Sequence, residues 1–268
     1  MTTRRIIGTF LPALLAGLVL AGVPGTAEAA GARYPVKDAP LLTHNPLYKG
    51  GVFKQVACEE PEIEDSRASV KRYTLAIVRC LDRVWSAELR RRGLAFRKPV
   101  VRFVSEKGRA CGKKWPEDTI AIYCRSERSL NFPIGSDLLD DESDLFLLTV
   151  VAHEYAHHVQ SLSGITKGNQ RLAYRNKKEL NEQYRRQELQ AECLTGVFTG
   201  SVWESLARTA GDWRLLLASQ RMTGDDYVEG GVRDHGKGAN IVYWMDRGFR
   251  AVSPSACNTW TAASARVA

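Results

Sequence analysis

One compact group of residues in this sequence could bind a metal ion and activate a water molecule. His153, Glu154 and His157 form an H-E-x-x-H motif. On a helix, residues four positions apart lie on the same face, so both imidazoles could reach one ion. Catalytic zinc sites use three protein ligands and leave the fourth position to a water, whose pKa the metal lowers to about 7. The motif therefore predicts a zinc-dependent hydrolase in which Glu154 is the general base.

The alternative is a chance match on a buried helix. An apolar run, residues 145–152, comes directly before the motif. Two histidines and a glutamate would be costly to bury there without a metal or polar partners, which favours the metal site. His158 lies about 100° around the helix from His157, so we expect it to be structural rather than a ligand. His44 lies in an irregular segment and is assigned no role.

A third metal ligand is needed, and the best source is the pair Glu188 and Glu192. These carboxylates are four residues apart and share one helical face. One could bind the metal while the other supports a ligand histidine and fixes its tautomer. The alternative is an exposed acidic pair that balances Arg185 and Arg186. Spacing alone does not decide between the two.

His235 is a further candidate in the sequence Asp234-His235-Gly236. It could stabilise the oxyanion that forms when water attacks a carbonyl. The alternatives are an ordinary loop histidine or a competing third metal ligand.

The first half of the chain predicts one long helix and a small sheet. Apolar residues recur at helical spacing over residues 66–92, and Gly93 is a stop signal. Residues 99–104 and 119–124 predict strands, and 129–134 a weaker third one. Residues 105–118 between the first two strands are expected to be a loop.

The second half predicts helices that carry the candidate site. They are expected to cover a stretch that starts at the acidic residues 140–144 and stops near Gly164, a polar stretch from Lys177 that becomes apolar by Val197, residues 202–221, and residues 239–251 after a loop at 223–238. This order, a small N-terminal sheet followed by helices, predicts an α+β fold.

The N-terminus resembles an export signal. Residues 1–29 contain Arg4-Arg5, an apolar stretch and Ala27-Glu28-Ala29, the small-x-small pattern of a cleavage site. A membrane anchor that stays attached is the alternative. We predict a signal peptide at 1–29, an irregular segment at 30–60 and a single domain at 61–268, without stable membrane insertion after cleavage.

Charge and cysteine content bear on the compartment and the partners. The net charge of +8 could favour weak binding to anionic cell-wall polymers, although solubility is the simpler explanation. No nucleic-acid-binding motif accompanies it, so no nucleic-acid partner is expected. The six cysteines are even in number and would allow three disulfides in an oxidising compartment.

The chain also resembles a known family, the bacterial putative neutral zinc metallopeptidases, from about Cys58 to Trp260. The matching segments are Cys80–Trp85, Ile122–Cys124, Val151–Gln160 and Glu188–Cys193, followed by His235-Gly236, Trp244, Gly248-Phe249 and Ala256-Cys257. Val151–Gln160 and Glu188–Cys193 together are specific to the family, and the other segments are weak when taken singly.

The resemblance implies a zincin-like domain with a gluzincin-like site, similar to that of thermolysin-type enzymes. Glu188 would then be the third zinc ligand and Glu192 the acid that supports a histidine. The chain departs from the family pattern at Glu192, where Asp is usual, and at Lys237, where a small polar residue is usual. The likeness also implies three disulfides, Cys58–Cys80, Cys111–Cys124 and Cys193–Cys257.

Together these features predict a secreted zinc endopeptidase that acts on protein or peptide substrates. Zn²⁺ would be bound by His153, His157 and Glu188, with Glu154 as the base and His235 as a helper. Two alternatives remain open, namely a non-catalytic, zinc-stabilised protein that binds partners at the cell surface and a zinc amidase acting on cell-wall peptides.

Overall fold

The structure is a computed structural model that describes residues 36, 39–64, 66–104, 108–116, 119–134, 144–227 and 229–268. The predicted signal peptide, residues 1–29, lies outside the described residues. The described part of the predicted irregular segment 30–60 contains two short helical pieces, α1 (Pro40–Thr43) and a 3₁₀ turn at Pro46–Tyr48, and is otherwise irregular.

The first long helix, α2, spans Arg67–Arg91 and agrees with the prediction. The side chain of Ser66 accepts a hydrogen bond from Ser69 N–H and caps its start. Gly93, with φ +71°, ends it because glycine adopts this left-handed conformation without strain. The apolar face of α2 packs against α3 (Asp144–Leu162), the helix that carries the motif.

A three-stranded sheet lies beside this helical pair. Its strands are β1 (Val100–Val104), β4 (Ile122–Cys124) and β5 (Ser129–Pro133), in the order β1-β5-β4. β5 runs parallel to β1 and antiparallel to β4. The strand predicted as the weakest is thus central and wholly buried, which leaves β4 as an edge strand.

The prediction of a loop over residues 105–118 was wrong in its described part. Two-residue strands β2 (Arg109–Ala110) and β3 (Lys113–Lys114) form an antiparallel hairpin there. Both turn residues, Cys111 and Gly112, have positive φ, as a tight two-residue hairpin turn requires.

The helix α3 is buried on most of its surface and ends at Leu162, close to the predicted stop at Gly164. A short helix, α4 (Ile165–Asn169), then leads to α5, which spans Lys177–Val202. Asn176 caps the start of α5 by accepting a hydrogen bond from Glu179 N–H. α5 packs across α3, and this crossing brings the second half of the candidate site to the motif.

The predicted helix over residues 202–221 was wrong at its beginning. α5 continues to Val202, a 3₁₀ turn follows at Trp203–Ser205, and α6 spans only Ala210–Arg221. Thr209 and Asp212 form a capping box at its start, with each side chain bonded to the other's backbone. This cap sets the boundary, and the Thr-x-x-Asp spacing was visible in the sequence.

The last helix, α7 (Gly238–Ala251), lies close against α5, and three glycines make the contact possible. A Cβ on Gly196 would lie 2.8 Å from Phe249 N, and one on Gly248 would lie 3.0 Å from Val197 N. Gly200 approaches the Phe249 carbonyl in the same way. The close approach holds α5, and the carboxylates on it, in a fixed position.

The structure forms the three disulfides that the resemblance implied, Cys58–Cys80, Cys111–Cys124 and Cys193–Cys257. The last of these ties α5 to the C-terminal segment. The fold is α+β and mainly helical with small sheets, as predicted. Within the part of the chain that the structure describes, no helix has the length and apolar character needed to cross a bilayer.

Candidate metal centre and active site

The helix α3 presents His153, Glu154 and His157 on the side that α5 crosses. The Nε2 atoms of His153 and His157 lie 3.1 Å apart, as the four-residue spacing leads one to expect. Both side chains are partly exposed, at 17% and 15%, so they line an accessible surface rather than the core.

The crossing helix α5 brings Glu188 to the same point. Its Oε2 atom lies 3.0 Å from His157 Nε2 and 3.5 Å from His153 Nε2. The possible ligand atoms of these three residues all fall within 4.8 Å of one another. Sequence spacing could not decide on this residue, because the decision depends on how two helices cross.

The spacing of these three atoms suits zinc. Ligand atoms at the corners of a tetrahedron, each about 2.0–2.1 Å from zinc, lie about 3.3–3.4 Å from one another. The observed edges of 3.0, 3.1 and 3.5 Å bracket that value. Two imidazoles and one carboxylate are also the donor set of a known class of catalytic zinc site. The residues present therefore fit the metal.

The charges of the cluster favour its assembly. Burial lowers the pKa of His153, but the carboxylates of Glu192 and Glu188 outweigh this effect and raise it well above its ordinary value. Burial likewise lowers and Glu188 raises the pKa of His157, with a net increase. Burial raises the pKa of Glu188, yet His157 and His153 bring it well below its ordinary value. Glu188 is therefore a carboxylate, the form that binds cations.

Glu154 lies beside His153, His157 and Glu188, and its carboxylate is held by a different partner. Its Oε2 atom accepts a hydrogen bond of 2.6 Å from the backbone N–H of Tyr123, on the edge strand β4. Burial raises the pKa of Glu154, and the two histidines offset only part of that rise. A carboxylate with a raised pKa is suited to accept a proton and pass it on near neutral pH.

Glu192 supports the first histidine from behind. Its Oε1 atom lies 3.0 Å from His153 Nδ1, at ion-pair distance. The longer side chain thus reaches the imidazole where the family usually has Asp. The alternative of an exposed acidic pair balancing Arg185 and Arg186 does not fit the contacts, since Arg185 donates to the Val267 and Arg233 carbonyls and Arg186 to Glu182.

Gln160 supports the second histidine, and the sequence interpretation did not identify it. Its Oε1 atom lies 2.9 Å from His157 Nδ1. The signal was available in the sequence, because residues three apart on a helix are neighbours and Gln160 follows His157 at that spacing.

His158 points away from the cluster, as predicted. It is fully buried, with Nδ1 at 3.0 Å from the Tyr123 hydroxyl and Nε2 at 2.7 Å from the Arg97 carbonyl. Burial lowers its pKa, so it is a neutral structural histidine that ties α3 to β4.

His235 lies on the loop between α6 and α7, near the cluster but outside it. Gly236, with φ +97°, sits against Leu189, the residue after Glu188, where a Cβ would meet the leucine side chain at 3.1 Å. The carboxylate of Asp225 accepts the backbone N–H groups of both His235 and Gly236, at 3.2 and 2.7 Å. These contacts hold the loop against α5.

The charge on His235 is set by its neighbour. The pKa of His235 is raised to about 9, chiefly by the 2.8 Å hydrogen bond from Nδ1 to Asp234; burial opposes this rise, and the charge of Glu188 adds to it. The imidazole is 58% exposed and cationic at neutral pH.

Asp225, Asp234 and His235 form a second group of possible metal ligands. Both oxygens of Asp225 already accept backbone N–H groups, so it is poorly disposed to take an ion. At the first site the ligand atoms of Glu188 converge with those of His153 and His157, and His235 is not part of that group, so the geometry favours Glu188 over His235 as the third ligand.

Comparison with known proteins agrees with this chemistry. The family profile described as "Putative neutral zinc metallopeptidase" matches residues 28–260. The chain belongs to this family. Membership supports, at family level, a zinc-dependent peptidase.

The relatives carry no assigned activity. The chain is 25% identical over 244 residues to the uncharacterized protein YpfJ of Escherichia coli K12, covering 85% of this chain and 82% of that protein. It is 30% identical over 132 residues to the uncharacterized protein Mb2605 of Mycobacterium bovis, covering 42% and 44%. No solved structure matches the chain.

Proposed function

We propose that this protein is a secreted zinc endopeptidase that hydrolyses peptide bonds in proteins or peptides. The observation that carries the proposal is the convergence of His153, His157 and Glu188 from two helices, with Glu154 beside them and held by a backbone N–H instead of a cation.

The three converging residues would hold the zinc, with Glu192 behind His153. When bound, zinc supplies a water of lowered pKa, about 7, and polarises a carbonyl. A non-catalytic zinc-stabilised binding protein would have no use for a base such as Glu154, so the enzyme is the better account.

Glu154 carries out the proton transfers in the proposed reaction. It takes a proton from the attacking water and passes it to the leaving amine, which the raised pKa of this carboxyl favours. The Tyr123 N–H keeps the carboxylate oriented between these two transfers. The cationic His235 lies near enough to Glu188 for their charges to interact, and it would stabilise the oxyanion.

The edge strand β4 supplies a place for the substrate backbone. Among the described strands it pairs with β5 alone, while on its other side Tyr123 N–H reaches Glu154. We propose that an extended peptide runs alongside this edge strand and passes its scissile bond beside Glu154, while the Tyr123 N–H stays bonded to Glu154. An endopeptidase needs such an open-ended arrangement.

Export to an oxidising compartment fits the three disulfides, because such bonds persist outside the cytosol. The signal peptide predicted at residues 1–29 would provide the route.

The test compares casein and peptidoglycan as substrates for the wild-type protein and Glu154→Gln. We expect casein cleavage by wild type alone, with zinc bound to both proteins. Release of peptides from peptidoglycan without casein cleavage would identify a zinc amidase instead. Zinc in both proteins without cleavage of either substrate would identify the binding protein.

A further inference from the structure

Two buried side-chain amides form a hydrogen-bonded chain that ends on His157, one of the proposed zinc ligands where α3 and α5 cross. Gln160 and Gln190 are both fully buried, the first on α3 and the second on α5. Gln160 Nε2 donates to Gln190 Oε1 at 3.1 Å, and Gln160 Oε1 lies 2.9 Å from His157 Nδ1. An amide has a donor end and an acceptor end, so the direction of each link decides what the next group must be.

Backbone carbonyls fix these directions, because a carbonyl can only accept. Tyr48 donates its hydroxyl to the Leu42 carbonyl at 2.9 Å. Gln190 Nε2 donates to the Tyr48 hydroxyl at 2.8 Å and to the Cys257 carbonyl at 3.1 Å. Both N–H groups of Gln190 are therefore used, and its Oε1 must be the end that faces Gln160.

The same logic applies one step closer to the metal centre. Gln160 Nε2 donates to the Gln187 carbonyl at 2.8 Å and to Gln190 Oε1 at 3.1 Å. Rotating the amide by 180° would place an oxygen against two acceptors, which a buried site does not tolerate. Gln160 Oε1 therefore faces His157 and can only accept a hydrogen bond.

We infer that Gln160 is a positioning residue that fixes His157 as the Nδ1–H tautomer and so presents the lone pair of Nε2 to the zinc ion. An acceptor at Nδ1 requires a proton there, and the neutral ring then has its free lone pair on Nε2, the atom that lies 3.0 Å from Glu188. The protein thus supports its two histidines differently, with a carboxylate behind His153 and an amide behind His157.

The inference rests on the proposed zinc site, and the matched variants Gln160→Met and Gln190→Met test it. Both replace a fully buried amide by a side chain of similar size, but only the first removes the acceptor at His157. In Gln190→Met the Gln187 carbonyl still holds Gln160 Nε2, so the Gln160 amide keeps its direction. Dissociation constants for zinc come from competition with a chelator on the full chain.

Gln160→Met is expected to weaken zinc binding by about 10- to 100-fold, the usual effect of losing such a partner. Both variants should have a lower Tm than wild type, because each loses buried hydrogen bonds. Gln190→Met should nevertheless bind zinc nearly as tightly as wild type. Equal losses in both variants, or no loss in Gln160→Met, would overturn the inference.

A measurement on wild type covers the case in which a variant does not fold. Nitrogen-15 NMR of the zinc-free full chain should show a proton on Nδ1 of His157, with or without a second proton on Nε2, where the Glu188 carboxylate is also an acceptor. A ring protonated on Nε2 alone would overturn the inference. Because this readout needs no zinc, a protein with the expected tautomer that bound no zinc would contradict the proposed function alone.

Discussion

Replacing Gly196 by alanine is expected to separate the carboxylate-bearing helix α5 from α7. A Cβ at this position would lie 2.8 Å from Phe249 N and closer still to the Met245 carbonyl oxygen. Both atoms are backbone and cannot rotate away. Ordinary contacts need about 3.5 Å, so the two helices must move apart by about 0.7 Å or more.

The cost follows from two opposed effects. Alanine is the better helix former by about 1 kcal/mol. Against this, overpacking costs typically about 1–3 kcal/mol and occasionally more, and a gap of 0.5–1 Å forfeits about a quarter to a half of each contact's attraction. A buried backbone-to-backbone contact belongs at or just above the upper end, about 3–4 kcal/mol, and subtracting the gain of about 1 kcal/mol leaves an expected net loss of about 2–3 kcal/mol.

Thermal unfolding measures this loss, and zinc titration measures its effect on the site. For a chain of this size the loss corresponds to a Tm lower by about 4–12 °C. Zinc binding should weaken too, because Glu188 and Glu192 lie on the same helix. Gly108→Ala is the control, since none of the residues that the structure describes lies within 4 Å of its Cβ, and its Tm should stay within about 2 °C of wild type. A Gly196→Ala protein as stable as this control would refute the reasoning.

Three further predictions follow from the site and its supports. Glu192→Ala should weaken zinc binding by about 10- to 100-fold while Glu192→Asp retains part of it, and equal zinc affinity in all three proteins would contradict a supporting role. The raised pKa of His235 predicts that its ion pair with Asp234 stabilises the fold fully below about pH 6.5, the ordinary histidine pKa, and that this stability is lost as the pH rises through about 9. Asp234→Asn should flatten that part of the profile of Tm against pH, and an unchanged profile would argue against the pair. Replacing Cys193 and Cys257 by serine opens a loop with a sequence separation of 64, worth about 4 kcal/mol in the chain-entropy model, and should also weaken zinc binding. Opening Cys111–Cys124, with a separation of 13, should cost about 3 kcal/mol and leave zinc affinity unchanged.

The sequence predicted the parts of the site that depend on spacing within one helix. His153, Glu154 and His157 are neighbours because the chain between them is helical, and an apolar run indicated that helix. The pairing of Glu188 with the histidines depends on the crossing of two helices, which the close glycine contacts with α7 help to set. Spacing therefore left that assignment open, and only the family resemblance favoured it.

Other contacts were out of reach because they involve the backbone or the fold as a whole. The N–H of Tyr123 reaches Glu154 only because β4 is an edge strand, and the order of strands in a sheet cannot be predicted from local sequence. Gln160 and the capping box of Thr209 and Asp212 are different. Both follow from local spacing, so a closer inspection of polar residues three positions apart would have found them.

The central claim is that zinc binds between His153, His157 and Glu188. A crystal of the full chain loaded with zinc, with diffraction recorded on both sides of the zinc absorption edge, locates the ion directly. The account predicts one anomalous peak about 2.0–2.2 Å from His153 Nε2, His157 Nε2 and a Glu188 carboxylate oxygen. A peak at the Asp225, Asp234 and His235 group instead, or none at the α3–α5 crossing, would contradict it.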